Sequence, residues 1–247
     1  MKVVSLVPSL TETLIESGVD VVGRTRYCIH PAECVADVAV VGGTKRVSWA
    51  RVEALKPGLV IMDREENTRE MAESCPLPWH ATHITSIDTV GPELGQLADL
   101  VASADLKNLA DGWQQLAAGP AAEFRGWDRL PGFISAVGDI SGEFSRAEYL
   151  IWRDPWMGVG PSTFIFSMMQ KAGFAGFLPR HTESYPQLPD DLPLDDIFYL
   201  FSSEPYPFER CIDELAEQGF RGALVDGEFY SWFGIRSYEQ LKKYTKE

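Results

Sequence analysis

The sequence predicts an α/β fold in which two Rossmann-like lobes are joined by one long backbone helix. Short apolar, β-branched runs alternate with segments of helical period from the first residues onward, which is typical of parallel sheets flanked by helices. Between Pro92 and Ala118 apolar residues recur three or four positions apart, which indicates one long amphipathic helix, or two abutting ones, of about 40 Å. The predicted division is therefore a first lobe at 1–91, a connecting helix at 92–118 and a second lobe at 119–247.

The first lobe begins with a buried strand at 3–7, which Pro8 ends because proline cannot continue strand pairing. Ser9 or Thr11 is expected to cap the following helix, and Gly18 ends that helix. Further strands are predicted at 19–23, 38–41, 59–62 and 79–84, with a helix at 47–55. An export signal would need a basic and an apolar region upstream of the first strand, so the start at Met1 predicts a cytoplasmic protein.

The second lobe follows Gly119 and Pro120, which end the connecting helix. Strands are predicted at 133–137, 149–152, 197–201 and 223–225, and helices at 162–172, 208–217 and 238–245. Residues 120–145 mix Gly, Pro and isolated aromatic residues, which predicts additional structure beyond a minimal lobe. Two lobes joined by one helix leave a cleft, where ligands usually bind.

Composition excludes several classes of function. Of the 247 residues 45% are hydrophobic and 23% charged, as in ordinary globular proteins, and no apolar run reaches the length of a membrane span, about 20 residues. The net charge of -14 disfavours nucleic acid and anionic lipid as partners. The four cysteines form no C-x-x-C pair, so we expect free thiols.

Seven segments in fixed order carry a family resemblance. They are VVSLVPSLTE at 3–12, VGRTRYCIHP at 22–31, VGGTK at 41–45, ALKPGLVI at 54–61, YLIWRDPWMGVG at 149–160, SSEPYPF at 202–208 and VDGEFYSW at 225–232. Together they resemble the helical-backbone substrate-binding proteins of metal-chelate importers, which include receptors for cobalamin, haem and iron siderophores. The resemblance spans nearly the whole chain and implies that a chelate binds between the lobes.

On such a fold the loops that follow the strands face the ligand. The candidate ligand-binding residues are Arg26, Tyr27, His30, Lys45, Glu65 and Glu66 in the first lobe, and Arg153, Trp156, Glu204, Tyr206, Phe208, Asp226, Glu228 and Trp232 in the second. Tyr27 is similar in position to an aromatic residue that cobalamin receptors present to the corrin ring. Flat aromatic faces suit a large planar ligand, although Trp152, which follows strand residues, could equally pack in the core.

The charges of these loops suggest which chelate binds. Carboxylates are as numerous as cations, whereas an anionic ferric siderophore would favour an unopposed basic cluster. The balance favours a near-neutral corrinoid, cobalamin above all, or a cationic metal complex as the ligand, with no intrinsic cofactor. For haem, Tyr27 or His30 could be an axial ligand. Direct metal binding could use Cys28, His30, Glu66 and Glu204, whereas His80 and His83 face opposite sides of a strand.

The leading hypothesis is a non-catalytic receptor for a corrinoid or related metal chelate that acts as a cytoplasmic carrier or sensor. Docking to a membrane permease is doubtful, because Ala50 stands where the resemblance implies a glutamate, although Asp191 matches a second such position. One alternative is an importer receptor whose translation start lies upstream.

Another alternative is an enzyme that uses Glu66, Glu204 or Glu228 as acid or base and Cys28 as nucleophile. The sequence disfavours an enzyme, because it contains no nucleophile elbow, H-E-x-x-H helix, phosphate loop or dinucleotide fingerprint.

Overall fold

The structure is a computed structural model that describes residues 1–246. The chain forms two compact units. Unit 1 consists of Met1–Ala118 with Phe233–Tyr238, and unit 2 consists of Gly119–Trp232 with the C-terminal residues from Glu239 onward. Each unit contains a mixed or parallel sheet with helices, so the predicted α/β class is confirmed. None of the described helices is long and apolar enough to cross a membrane.

Unit 1 is built on a five-stranded parallel sheet. Its strands are β1 (Val3–Ser5), β2 (Val21–Thr25), β3 (Ala39–Gly42), β4 (Leu59–Asp63) and β5 (Trp79–Thr82), in the order β3-β2-β1-β4-β5. Its helices are α1 (Pro8–Glu16), α2 (Ala32–Val35), α3 (Trp49–Ala54), α4 (Arg69–Glu73), α5 (Ile87–Val101) and α6 (Ala104–Ala118). The central strands β1 and β4 are buried along their whole length, as their continuous apolar sequence predicts.

The first helix begins without the predicted side-chain cap. Val7 is the N-cap residue and Pro8 occupies the first turn, where its missing N–H costs no hydrogen bond. The Thr11 hydroxyl donates instead to the Val7 carbonyl oxygen at 2.8 Å and contacts Ser5 Oγ and Cys28 Sγ. Neither Ser9 nor Thr11 caps the helix, because both lie inside it, past the N-cap position.

The predicted connecting helix is divided into two helices that pack against each other. Ala102, which separates α5 from α6, adopts a left-handed conformation with φ 53° and ψ 47°. A Cβ atom added to Gly91 would lie 2.4 Å from Gln114 Cγ, whereas residues 91 and 114 of one continuous helix would be about 34 Å apart. The helices α5 and α6 therefore form an antiparallel hairpin inside unit 1, rather than a single straight spine.

Unit 2 has a five-stranded mixed sheet. Its strands are β6 (Phe133–Val137), β7 (Arg146–Trp152), β8 (Met157–Gly158), β9 (Ile197–Ser202) and β10 (Gly222–Val225), in the order β6-β10-β9-β7-β8. Strands β7, β9 and β10 are parallel, and the edge strands β6 and β8 are antiparallel to their neighbours. Its helices are α7 (Phe164–Met169), α8 (Ile212–Glu217), α9 (Gly227–Ser231) and most of α10 (Ile235–Lys246), with a π-helical turn at Gln170–Phe174 and a 3-10 turn at Phe208–Arg210.

Residues 120–132, within the segment where additional structure was expected, contain no helix or strand. Aromatic packing fixes this segment instead. The Trp127 ring stacks on Phe198 of β9 with centroids 4.3 Å apart, and Phe124 contacts Trp127 edge to face at 4.7 Å. The aromatic residues Phe124 and Trp127 thus pack the irregular backbone of this segment against β9.

The segment Phe233–Tyr238 packs in unit 1, although the sequence assigned all of 119–247 to the second lobe. The Ile235 N–H donates to Thr13 Oγ1 at 3.1 Å, and Trp113 Nε1 donates to the Gly234 carbonyl oxygen at 3.1 Å. Arg236 adds two hydrogen bonds to the Glu12 carboxylate, at 2.6 and 3.0 Å. These contacts attach the segment Phe233–Tyr238 to α1 and α6 within unit 1.

Candidate functional site

The candidate site in unit 1 lies where the parallel strands end. The loops after β2, β3 and β4 contain Arg26–His30, Gly43–Arg46 and Arg64–Glu66, and the carboxyl ends of parallel strands share one edge of the sheet. Open α/β sheets usually bind ligands at this edge. The structure therefore brings the candidate residues of the first lobe to one edge of one sheet.

Tyr27 is the exposed aromatic residue of this edge. Its side chain is 49% exposed, and Arg26 Nη2 donates a hydrogen bond to the Tyr27 phenol oxygen at 2.9 Å. The Arg26 guanidinium carbon also lies 4.9 Å from the centroid of the Tyr27 ring. The ring is thus held by a cation while its phenol oxygen keeps further capacity to bind a ligand.

A cavity of about 530 Å³ opens beside Tyr27. Four basic side chains line it, namely Arg26, Lys45, Arg46 and Arg51, and its lining contains no carboxylate among the described residues. We call this space the basic cavity. A Cβ atom on Gly42 would lie 2.5 Å from the Arg46 carbonyl oxygen, so glycine is required for the tight turn that presents these cations.

The acidic residues of the same edge lie outside the lining of the basic cavity. The backbone oxygen of Glu65 accepts a hydrogen bond from Lys45 Nζ at 3.1 Å, and the Glu65 carboxylate lies 3.8 Å from His83 Nε2. Glu66 is partly buried, and burial raises its pKa, an effect that Lys45 opposes. Asp63 is fully buried and accepts from Thr82 Oγ1 at 2.6 Å; burial raises the pKa of this carboxyl as well.

Cys28 and His30, two of the candidate metal ligands, lie in the loop after β2 in different surroundings. Cys28 is fully buried, with its sulfur 3.1 Å from the hydroxyls of both Thr11 and Thr25, and burial raises the pKa of its thiol. Such a thiol is a poor metal ligand and a poor nucleophile. His30 is partly exposed in the loop after β2. Across residues 1–246, no group of three or more His, Cys, Asp or Glu side chains could hold a metal ion.

In unit 2 two of the predicted acidic residues are used for local structure. Glu204 Oε1 accepts hydrogen bonds from Trp232 Nε1 at 2.9 Å and from Ser231 Oγ at 3.1 Å. The Asp226 carboxylate accepts from the Phe229 N–H at 3.2 Å and so caps α9. Glu228, in the first turn of α9, is partly buried. Glu204 and Asp226 are therefore held by hydrogen-bond donors of unit 2 itself.

Several rings predicted to face a ligand are buried inside unit 2, which corrects the sequence assignment. Trp156 is 8% exposed and Phe208 0% exposed, and their rings stack with centroids 6.2 Å apart in the core. Trp232 is also buried. The turn between the antiparallel strands β7 and β8 folds the Trp156 ring back onto the sheet, because an antiparallel turn reverses the chain within a few residues.

Trp152 is the exposed ring of this edge. It is 43% exposed at the end of β7, and its ring contacts Tyr206 edge-on at 5.5 Å. Arg153, which follows it, forms an ion pair of 2.7 Å with Glu214 and lies 5.5 Å from the Trp156 ring, so its charge is compensated locally.

Comparison with known proteins identifies the class that this fold defines. No protein-family model and no curated protein matches the sequence. Among solved structures, the chain is similar to the haem-bound IsdE of S. aureus, with 14% sequence identity, a TM-score of 0.70, and coverage of 99% of this chain and 97% of that one. The fold is therefore that of the binding proteins for metal chelates, as the sequence resemblance implied.

Two further similar structures bind different tetrapyrroles. The periplasmic vitamin B12-binding protein BtuF of Vibrio cholerae shares 13% identity with a TM-score of 0.65, and the alignment covers 99% of this chain and 95% of that one. The periplasmic haem-binding protein RhuT of Roseiflexus sp. RS-1 shares 19% identity with a TM-score of 0.66, over 99% and 96% of the two chains. These neighbours are binding proteins rather than enzymes, which fits the non-enzymatic assignment.

The cytoplasmic location inferred from the sequence is wrong on this comparison. BtuF and RhuT are periplasmic proteins, which points to a location outside the cytoplasm. The two positions discussed for permease docking are both at the surface. Ala50 is exposed in α3, and Asp191 is exposed in the loop before β9.

Proposed function

We propose that this protein is a solute-binding receptor for a metal chelate, and that the chelate is an iron tetrapyrrole with acidic side groups, such as haem. The observation that carries the proposal is the pairing of the exposed Tyr27 phenol with the basic cavity at the carboxyl edge of the unit 1 sheet. The fold shared with receptors for B12 and haem supports the class of ligand.

Tyr27 is the proposed axial ligand of the iron. Tyrosine is an established protein ligand of haem iron. A phenolate that binds iron carries negative charge, and the Arg26 guanidinium, which already donates to the phenol oxygen at 2.9 Å, is positioned to offset that charge. The Tyr27 ring is exposed, so a planar ligand can approach it without displacing core residues.

The basic cavity is the proposed site for the acidic groups of the ligand. Lys45, Arg46 and Arg51 line it together with Arg26, and the cavity lining contains no carboxylate in the described part of the chain. Arginine binds carboxylates through two parallel hydrogen bonds, which gives both affinity and orientation. An anionic ligand is therefore favoured over the near-neutral corrinoid that the sequence suggested.

A corrinoid is the second candidate. The exposed Trp152 ring with Tyr206 beside it offers an uncharged aromatic surface at the edge of the unit 2 sheet, and Arg153 nearby is compensated by Glu214. Such a surface suits a ligand rich in amides and apolar groups. Trp152→Ala should weaken corrinoid binding if this surface contacts the ligand.

The test is a titration of the purified protein with ferric haem, haem dimethyl ester, cyanocobalamin and dicyanocobinamide, followed by absorption spectra. We expect haem to bind, Tyr27→Phe to abolish the spectrum of the phenolate complex, and Tyr185→Phe, a change at another exposed tyrosine, to leave it unchanged. Replacement of Arg46 and Arg51 by Gln should weaken haem binding at least 10-fold, about 1.4 kcal/mol, and leave binding of the ester nearly unaffected.

Distinct outcomes would contradict distinct parts of the proposal. Binding of a corrinoid without binding of haem would exclude the iron tetrapyrrole. Binding of none of the four compounds would exclude the receptor itself. Equal loss of haem and ester on replacement of Arg46 and Arg51 would exclude the basic cavity as the site of the acidic groups.

We further propose that the receptor works outside the cytoplasmic membrane as the solute-binding component of an importer. The periplasmic location of BtuF and RhuT supports this assignment. Fractionation of the native host should find the protein outside the cytoplasm, and recovery in the cytoplasmic fraction alone would refute it. Asp191→Ala should weaken permease docking if this exposed carboxylate takes part.

A further inference from the structure

Glu148 is a buried acidic residue of β7, between the buried residues Ala147 and Tyr149. It is 9% exposed, and its carboxylate is placed so close to Gly158 that a Cβ atom there would lie 2.6 Å from Glu148 Oε1. Burial of a carboxylate is unfavourable unless hydrogen bonds compensate it. Here His181 Nε2 lies 3.0 Å from both carboxylate oxygens.

The Glu148–His181 pair lines a cavity of about 490 Å³ in unit 2. Arg146 and Arg180 line the same cavity, which we call the arginine cavity, and Phe177 and Ile197 supply apolar walls. Arg146 lies two residues before Glu148 on β7, and residues two apart share one face of a strand. Arg180 precedes His181 in the loop that covers this face.

The charge of the arginine cavity is positive. Arg146 and Arg180 outnumber the Glu148 carboxylate, which is the acidic group of the described lining. The nearby carboxylate of Asp196 accepts hydrogen bonds from the Ser145 N–H and hydroxyl, and Asp196 is not part of the cavity lining.

We propose that the arginine cavity is a binding site for a small oxyanion, a carboxylate or phosphate group carried by a partly apolar molecule. Arg146 and Arg180 would bind the oxyanion, because guanidinium groups match the geometry of two acceptor oxygens. Glu148 would hold the His181 ring in place, as carboxylates do for histidines that bind ligands through their other nitrogen. The site lies wholly in unit 2 and does not depend on the tetrapyrrole function.

The test uses the complete protein, without haem, labelled for NMR at the histidine side chains. Inorganic phosphate and benzoate are titrated separately, with sodium chloride at matched ionic strength as reference, and the two anions distinguish the phosphate from the carboxylate form of the ligand. We expect one of them to shift the His181 ring signals in a saturable manner. Arg146→Gln and Arg180→Gln should each weaken that binding at least 10-fold.

Arg129→Gln provides a matched control, because Arg129 is an exposed arginine of the same unit that does not line the cavity. It should leave the affinity unchanged. Both Arg146 and Arg180 are exposed, so their replacement should leave the melting temperature near that of the wild type. Absence of any saturable His181 shift, or an equal loss of affinity in Arg146→Gln and Arg129→Gln, would overturn the proposal.

Discussion

Alanine substitutions at two glycines of α5 test whether α5 and α6 form a hairpin. A Cβ atom on Gly91 would lie 2.4 Å from Gln114 Cγ, 2.9 Å from the Ala110 carbonyl oxygen and 3.1 Å from the Gln114 nitrogen. A Cβ atom on Gly95, one turn later, would meet only Lys107 Nζ, at 4.0 Å. An added methyl group therefore meets backbone atoms at Gly91 and has free space at Gly95.

The expected stabilities follow from two opposing terms. Replacing glycine by alanine inside a helix stabilises by about 1 kcal/mol, whereas overpacking of a tight contact costs about 1–3 kcal/mol. Gly95→Ala should thus stabilise the protein by about 1 kcal/mol, and Gly91→Ala should be less stable than Gly95→Ala by about 1–3 kcal/mol. In a protein of this size each kcal/mol corresponds to about 2–4 °C in melting temperature.

Urea unfolding of both variants, with thermal melts as a second measure, provides the assay. In a single continuous helix Gly91 and Gln114 would be far apart, so both substitutions would stabilise equally. Equal stabilisation of the two variants would therefore refute the hairpin. The slope of the unfolding free energy against urea concentration should equal that of the wild type in both variants, because a changed slope would show an altered denatured state. Only variants with the wild-type slope enter the comparison.

Three further predictions concern unit 2 and the C-terminal segment. Trp156→Ala should lower the free energy of unfolding by about 3–5 kcal/mol, because it removes a buried ring. Trp152→Ala removes an exposed ring and should change that free energy by less than about 1 kcal/mol. Similar values for the two variants would contradict the difference in burial. Burial raises the pKa of Glu148 above its ordinary 4.5, so the folded protein holds this proton more tightly than the unfolded chain does. The resulting stabilisation is present below about pH 4.5 and is lost as the pH rises through the pKa of the folded state. Glu148→Gln should remove that pH dependence in urea titrations, and an unchanged pH profile would contradict it. Arg236→Ala should destabilise the protein by about 2–3 kcal/mol, because it leaves the buried Glu12 carboxylate without its partner. The loss should be smaller than for a fully buried ion pair, since Arg236 is partly exposed. A double-mutant cycle with Glu12→Gln measures the coupling energy between the two side chains, and a coupling energy of zero would refute the pairing.

Much of the fold could be predicted because local signals were strong. The run at 59–62 is wholly apolar and lies in the buried central strand β4, and the run at 133–137 coincides with β6. The reversal at Ala102 had no such signal, since alanine in a left-handed conformation marks no turn in the sequence. The apolar period continues through the reversal, because both helices bury one face.

The candidate site was predicted less well, since burial of single side chains depends on long-range packing. The loops after β2 and β3 could be found because both follow apolar runs, and Gly43 marks the loop after β3. The position of Trp156 could not be found, because a tryptophan beside Pro155 is typical of a loop, and only the pairing of β7 with β8 brings its ring against Phe208. Glu148 was missed because the strand was predicted to begin at Tyr149, three residues after the start of β7 at Arg146.

The charge of the proposed ligand depends on the side chains that line its cavity more than on the overall composition of the protein. The equal numbers of carboxylates and cations in the loops favoured a near-neutral or cationic ligand. Charges at the protein surface are screened over about 8–10 Å at ordinary ionic strength, so a ligand in a cavity responds mainly to the side chains that line it. Glu204 and Asp226 are hydrogen-bonded within unit 2, while Arg46 and Arg51 line the basic cavity without a carboxylate among its described lining residues. An acidic protein can therefore present a local site for an anion, and the dimethyl ester of haem is the probe that separates this local effect from ring binding.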